Sequence, residues 1–140
     1  MTKLGDLIRA LADADWDHVD ALVDELDRAN WEDGLQVVGA AFAVAVNRRF
    51  GPGTTPADVA RYVSSARANY HDGSALPALE MEGLIRAAIG EPELADNIPP
   101  AVALGVEVFI LGQLLQDAHL MPEQLDEFIA EAERTAAEYR

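Results

Sequence analysis

Two stretches of this sequence bring together residue types that could bind a ligand or do chemistry. The first is the turn from Arg48 to Pro56, where two arginines precede a glycine-containing turn and the start of a helix. Guanidinium groups, free backbone N–H groups and the positive end of a helix can together hold a phosphate or a carboxylate. The turn lacks the Gly-Lys-Ser/Thr of a P-loop. The predicted ligand-binding residues here are Arg48, Arg49, Thr54 and Thr55.

Ordinary helix termination is the other interpretation of that turn. Gly51 would then end one helix, Thr55 would cap the next, and Pro56 would occupy its first position. Both interpretations stay open from the sequence alone.

The second stretch is the loop from Tyr70 to Ser74, followed by Glu80. A histidine oriented by a carboxylate can act as a general base, and histidine with carboxylates can also bind zinc or iron. The predicted loop-site residues are Tyr70, His71, Asp72 and Glu80. No paired ligand motif such as His-Glu-x-x-His accompanies them, and Asp-Gly is common in turns, so a plain surface loop is the alternative. We predict neither a metal site nor a catalytic residue.

Glu107 is a further candidate ligand-binding residue, because it interrupts the apolar run from Ala101 to Leu115. A carboxylate in such a helix must reach water or find a cationic or hydrogen-bonding partner. A buried pair with an arginine of the segment 35–70 is the preferred prediction. A polar group lining a ligand pocket is the alternative.

The aspartates between Asp13 and Asp24 do not form a calcium-binding loop. An EF-hand requires glycine at its sixth position and a bidentate Glu at its twelfth, but counting from Asp13 these are His18 and Asp24. The pattern favours a solvated helix face with Asp15 as its N-cap.

The elements that must position these residues are all helical. Apolar residues recur at three- and four-residue steps in about seven segments, and this predicts a single-domain all-α bundle over residues 1–140. Two nearly continuous apolar helices, about 31–50 and 100–118, are predicted to be buried and central. Pro56 and Pro122 are predicted to begin the helices that follow them, and Gly90 to end another.

An offset of 66 residues places Gly39, Pro56 and Ala66 on Gly105, Pro122 and Ala132. This match predicts related halves, 16–69 and 77–138. The alternative is that burial alone imposes the same pattern on any apolar helix followed by an amphipathic one.

Composition and charge limit the classes of partner and the cellular location that we expect for this protein. The 140 residues carry a formal net charge of −15 and no cysteine, which disfavours nucleic acid and anionic membranes as partners and excludes disulfides. The residues that follow Met1 include no apolar run of signal-peptide length, which favours the cytoplasm. The apolar run 101–115 falls short of the roughly 20 residues needed to span a bilayer. The segment 35–70 is the exception in charge, with four arginines and one acid.

The preferred functional hypothesis is a non-enzymatic protein-interaction module. Acidic faces on the second and last helices would engage a basic partner or a second copy in a homodimer. Trp16 and Trp31 are either core residues closing the bundle or anchors for that partner. The alternatives are a helical bundle that binds an apolar or anionic small molecule, and a metal-dependent enzyme centred on His71. No cofactor is predicted.

Overall fold

The computed structural model describes residues 3–29, 34–69 and 77–138, and all of its regular elements are helical. Seven α-helices run in the order α1 Lys3–Ala12, α2 Trp16–Arg28, α3 Gly34–Arg49, α4 Pro56–Asn69, α5 Ala78–Ala88, α6 Pro100–Ala118 and α7 Pro122–Glu138. A short 3-10 turn, Pro92–Ala95, lies between α5 and α6. The prediction of an all-α bundle is therefore confirmed. Trp31 and the predicted first turn of the third helix lie outside the described residues.

Local capping interactions fix several of these helix ends as the sequence predicts. The Asp15 side chain accepts a hydrogen bond of 3.3 Å from the backbone N–H of His18 at the start of α2. At the start of α4, Asp58 accepts a bond of 2.9 Å from the Thr55 N–H, and Thr55 Oγ1 accepts one of 3.2 Å from the Asp58 N–H. This reciprocal pair is a capping box, in which Asp58 occupies the position that Glu or Gln usually takes.

Glycines with positive φ follow both α5 and α3, but at different positions relative to the helix end. Gly90 follows α5 with φ of +139°, a conformation that residues with a Cβ rarely adopt, so it ends the helix as predicted. The predicted role of Gly51 is wrong in its detail, because the glycine with positive φ after α3 is Gly53, at +91°. Gly51 instead accepts hydrogen bonds at its carbonyl from the Thr54 N–H, 3.2 Å, and the Thr54 hydroxyl, 2.7 Å.

One continuous apolar core joins all seven helices. Helix α3 is central to it, because it packs against α1, α5, α6 and α7. The largest fully buried side chains come from every helix except α2, whose Val19, Leu22 and Leu26 also belong to the core. Examples are Leu7 of α1, Val46 of α3, Val59 of α4, Met81 of α5, Ile110 of α6 and Phe128 of α7. A shared core of this kind gives a compact single domain.

Helix α6 is buried unevenly along its length. Its second half is enclosed, with Ile110 and Leu111 almost inaccessible, whereas Val102, Leu104 and Val108 in the first half are only partly buried. By length and composition α6 could cross a membrane, although the core helices of globular proteins often meet the same criterion. One third of its apolar window is buried inside the protein.

Two arginines of the segment 35–70 pair with carboxylates, one on another helix and one within the segment. Arg48 of α3 bonds to Glu131 of α7 at 2.5 Å, and Arg61 pairs with Asp58 within α4. Arg49 follows neither pattern. The relation between residues 16–69 and 77–138 stays a prediction, since burial of α3 and α6 accounts for their common pattern.

Candidate functional site

A cleft of about 440 Å³ opens beside the turn that the sequence singles out. Its walls come from the end of α3, the turn after it, α4 and the last turn of α6. The residues with polar side chains that line it are Arg49, Thr54, Asp58, Arg61, Tyr62, Ser65 and Asp117. The predicted residues Arg49 and Thr54 therefore share one cleft, and they do so with residues of α4 and α6 as well as of the turn.

Arg49 is the cation of this cleft that has no carboxylate partner among the described residues. Its guanidinium carbon lies 5.1 Å from the ring centroid of Phe50 and 5.6 Å from that of Tyr62. These two rings meet edge to face, with centroids 5.3 Å apart and an angle of 90° between their planes. The aromatic pair holds the guanidinium by cation–π attraction and leaves its N–H donors available for an anion.

Tyr62 carries a polar atom that has no hydrogen-bond partner. Its hydroxyl is inaccessible to solvent and bonds to no described atom. Burial, and then the negative charge of Asp117, raise the pKa of Tyr62 above its ordinary value, while Arg49 acts in the opposite direction. The phenol therefore stays neutral near pH 7 and can donate one hydrogen bond. Buried hydroxyls are nearly always paired, so an unpaired one beside a cleft points to an absent acceptor.

Asp117 is the anion of the cleft that lacks a partner. It lies in the last turn of α6, where the negative end of the helix disfavours a carboxylate, and that turn contains no basic residue. It forms no ion pair among the described residues. Asp58, by contrast, is occupied, because Thr55 and Arg61 both bind it and lower its pKa.

A second cleft, of about 250 Å³, shares Arg49 and Asp117 with the first. Its remaining wall is mostly apolar and comes from α3, α6 and α7. It is formed by Ala45, Leu114, Leu115, Ala118 and Phe128 of these helices, and by Leu120 of the connection between α6 and α7. Arg48 also lines this cleft, with its guanidinium carbon 5.2 Å from the Phe128 ring centroid and its charge paired to Glu131.

The other predicted residues of the turn do not converge on a common point. Arg48 faces the apolar cleft, whereas Arg49 and Thr54 line the polar one. Thr55 is engaged in the capping box of α4, and the Thr54 hydroxyl donates to the Gly51 carbonyl. The two threonines thus have local roles, and ordinary helix termination accounts for both of them.

Glu107 lies apart from this site and has no partner among the described residues. The preferred prediction of a buried pair with an arginine is therefore wrong for the described arginines, since Arg48 and Arg61 bind other carboxylates and Arg49 lies over aromatic rings. Burial without a compensating charge raises the pKa of Glu107 to about 7. The carboxyl group is therefore partly protonated at neutral pH.

The predicted loop site cannot be assembled from the described part of the chain. Tyr70, His71 and Asp72 lie outside it, and only Glu80 is described. Glu80 lines a third cleft, of about 460 Å³, between the starts of α5 and α6, with Met81, Val102 and Phe109 among its apolar neighbours. In residues 3–29, 34–69 and 77–138, no group of three carboxylates or histidines is arranged to hold a metal ion.

Tyr62 and Asp117 are the residues of the site that sequence reasoning missed. Tyr62 belongs to the apolar stripe of α4, so its spacing indicates only a core position. A weak signal was present at Asp117, because an acid in the last turn of a helix opposes the helix dipole. No spacing in the sequence relates Asp117 to Arg49, since α3 and α6 are brought together only by the tertiary fold.

Comparison with known proteins yields no relative from which a role could be transferred. No protein-family model matches the chain, and no match was found among curated proteins or among solved structures. The function must therefore be inferred from the site itself.

Proposed function

We propose that this protein binds a small ligand bearing an anionic group in the polar cleft beside Arg49. The observation that carries the proposal is that one cleft is lined by an exposed guanidinium without an ion-pair partner and by a tyrosine whose buried hydroxyl lacks a hydrogen bond. Arg49 has no carboxylate partner among the described residues, and the nearby Tyr62 hydroxyl is buried without a hydrogen bond. A carboxylate or phosphate oxygen would accept from Arg49, and from the Tyr62 hydroxyl after a small side-chain shift that opens this oxygen to the cleft.

The clefts have the size and mixed character of small-molecule sites, which combine apolar walls with a few polar groups. The donors are supplied by helices rather than by a flexible loop, so ligand binding requires little ordering of the protein. Neither Arg49 nor Tyr62 lies beside a nucleophile–base pair in the described structure. Binding rather than catalysis is therefore the proposed activity.

Thermal unfolding tests this function with 3-phenylpropanoate and phenyl phosphate as defined probes. A ligand at 100 times its dissociation constant stabilises a protein by about 2.7 kcal/mol, or roughly 5–10 °C for a domain of this size. Arg49→Met should abolish the shift while keeping an apolar stem over the rings. Arg28→Met, an exposed arginine of α2 outside both clefts, is the matched control. No shift with either probe, or equal shifts in wild type and Arg49→Met, would refute the proposal.

Association with a basic partner through the acidic face of α2 is the second candidate function. Asp17, Asp20 and Asp24 are exposed at helical spacing and form no ion pair among the described residues. Trp16, at the start of the same helix, is 46% exposed. On α7, by contrast, Asp126 is bound by Arg9 and Glu131 by Arg48, so the acidic surface of α2 is the more available one.

A capture experiment with charge variants tests this second candidate. Replacing Asp17, Asp20 and Asp24 by Asn should release a stoichiometric partner that wild-type protein retains at low ionic strength and loses at high salt. The matched control replaces Glu123, Glu127 and Glu133 of α7 by Gln. Recovery of the free monomer alone, or equal loss in both triple variants, would contradict this assignment.

A further inference from the structure

The polar cleft and the apolar cleft share two lining residues, which carry one unpaired charge of each sign. Arg49 and Asp117 both line the polar cleft and the apolar one, yet they form no ion pair with each other. The other charges of the two clefts are matched, since Arg48 binds Glu131 and Arg61 binds Asp58. A ligand entering here therefore meets one available cation and one available anion.

A simple carboxylate satisfies only half of this arrangement. It would pair with Arg49 but would lie near Asp117, and like charges at short range oppose binding. A simple amine would pair with Asp117, but it would leave Arg49 unpaired and would lie near that positive charge. A group with both charges a few bonds apart satisfies both residues at once.

The apolar cleft adds a third requirement. Leu114, Leu120 and Phe128 line it beside the two charges, and its volume of about 250 Å³ has room for an isobutyl or benzyl group. Burying such a group removes apolar surface from water and adds affinity. The two unpaired charges and the apolar cleft beside them thus fit a ligand that carries a carboxylate, an ammonium group and an apolar side chain.

Resting on the proposed ligand-binding function, we propose that the ligand is an α-amino acid, free or at the end of a short peptide, with an apolar side chain. Its carboxylate binds Arg49 and the Tyr62 hydroxyl, its ammonium group binds Asp117, and its side chain enters the cleft between α3, α6 and α7. The ligand thereby supplies the partners that Tyr62 and Asp117 lack in the free protein.

Calorimetric titration with three related probes tests this assignment. L-Phenylalanine carries both charges, 3-phenylpropanoate lacks the ammonium group, and 2-phenylethylamine lacks the carboxylate. Hydrogen bonds to charged groups contribute more to binding than those between neutral groups, although water screens them in an open site. We therefore expect L-phenylalanine to bind about tenfold more tightly than either analogue. Glycine, which lacks the apolar group, should bind more weakly than L-phenylalanine.

Two variants should change the specificity of binding in a way that the proposal predicts. Asp117→Asn should weaken L-phenylalanine binding and strengthen 3-phenylpropanoate binding, so that the tenfold difference disappears. Arg49→Met should instead reduce the difference between L-phenylalanine and 2-phenylethylamine. Asp20→Asn on α2 makes the same change of charge outside both clefts and should alter neither ratio.

The outcomes separate this inference from the proposed function. If 3-phenylpropanoate binds as tightly as L-phenylalanine, or if Asp117→Asn leaves their ratio unchanged, the amino-acid assignment is wrong while anion binding at Arg49 stands. If none of the probes binds, including phenyl phosphate, both proposals fall. Because Asp117→Asn removes an unfavourable acid from a helix end, loss of folding is not expected to obscure the result.

Discussion

Replacing Tyr62 by Phe removes only the hydroxyl that has no partner, and we expect it to stabilise the protein while weakening ligand binding. The hydroxyl is buried without a hydrogen bond, whereas the ring contacts Phe50 and Arg49. Phenylalanine keeps both ring contacts. At position 128, which is 66 residues further along the chain, a phenylalanine already occupies a fully buried site without a hydroxyl.

The expected size of the effect follows from the state of that oxygen. Leaving a buried polar group unsatisfied costs about 1–3 kcal/mol, and the lower value applies here because the residue as a whole is only partly buried. Tyr62→Phe should therefore raise the free energy of unfolding by about 1 kcal/mol, which corresponds to roughly 2–4 °C in Tm. Tyr62→Leu, which also loses the ring contacts, should destabilise the protein.

Urea denaturation at 25 °C measures this change as a shift in midpoint with an unchanged slope. The same variant, titrated with 3-phenylpropanoate, should show weaker binding because one of the two donors is gone. A variant less stable than wild type would mean that the hydroxyl has a hydrogen-bond partner in solution. An unsatisfied donor at Tyr62 would then no longer mark the cleft as a binding site.

Three further changes probe other parts of the fold. Glu107→Gln should remove a pH dependence of the free energy of unfolding. Burial raises the pKa of Glu107 in the folded protein from 4.5 to about 7, so between these pH values the folded protein holds a proton that the unfolded chain has lost. The stability of the wild type therefore falls as the pH rises from 4.5 to about 7. The variant should be more stable above pH 7 by up to about 3 kcal/mol, seen in urea midpoints compared at pH 5 and 8; a constant difference between variant and wild type would disprove it. Thr55→Ala should cost about 1 kcal/mol through loss of the capping box, and a melting temperature equal to that of wild type would count against that role. Ile110→Ala should cost about 2–5 kcal/mol because the side chain is fully buried; a loss below 1 kcal/mol would indicate that α6 is less enclosed than described.

The helices and most of their ends follow from the sequence because the forces that set them are local. Asp15, Thr55 and Pro122 act on backbone groups within one turn of themselves, so their effect can be inferred from neighbours in the chain. Apolar spacing likewise indicates which face of each amphipathic helix is buried. The end of α3 was less well predicted, since three glycine or proline residues in a row leave the choice between Gly51 and Gly53 to the details of the turn.

Interactions between distant segments were not determined in this way. The sequence indicates that Glu107 needs a partner, but whether one is available depends on where every arginine comes to lie. In the structure none of the described arginines pairs with Glu107, and burial without such a charge raises the pKa of its carboxyl group. The uneven burial of α6 likewise depends on tertiary packing, because an apolar sequence does not determine how much of the helix its neighbours cover.

The sequence alone thus determined a helical, acidic domain and drew attention to Arg49 and its turn, because charge, capping and periodicity are properties of residues close in the chain. Only the tertiary structure brought Tyr62 of α4 and Asp117 of α6 to that arginine and left each of the three without an ionic or hydrogen-bonding partner among the described residues. The physical reason is that a binding site depends on distances across the fold, which are fixed by how the helices pack together.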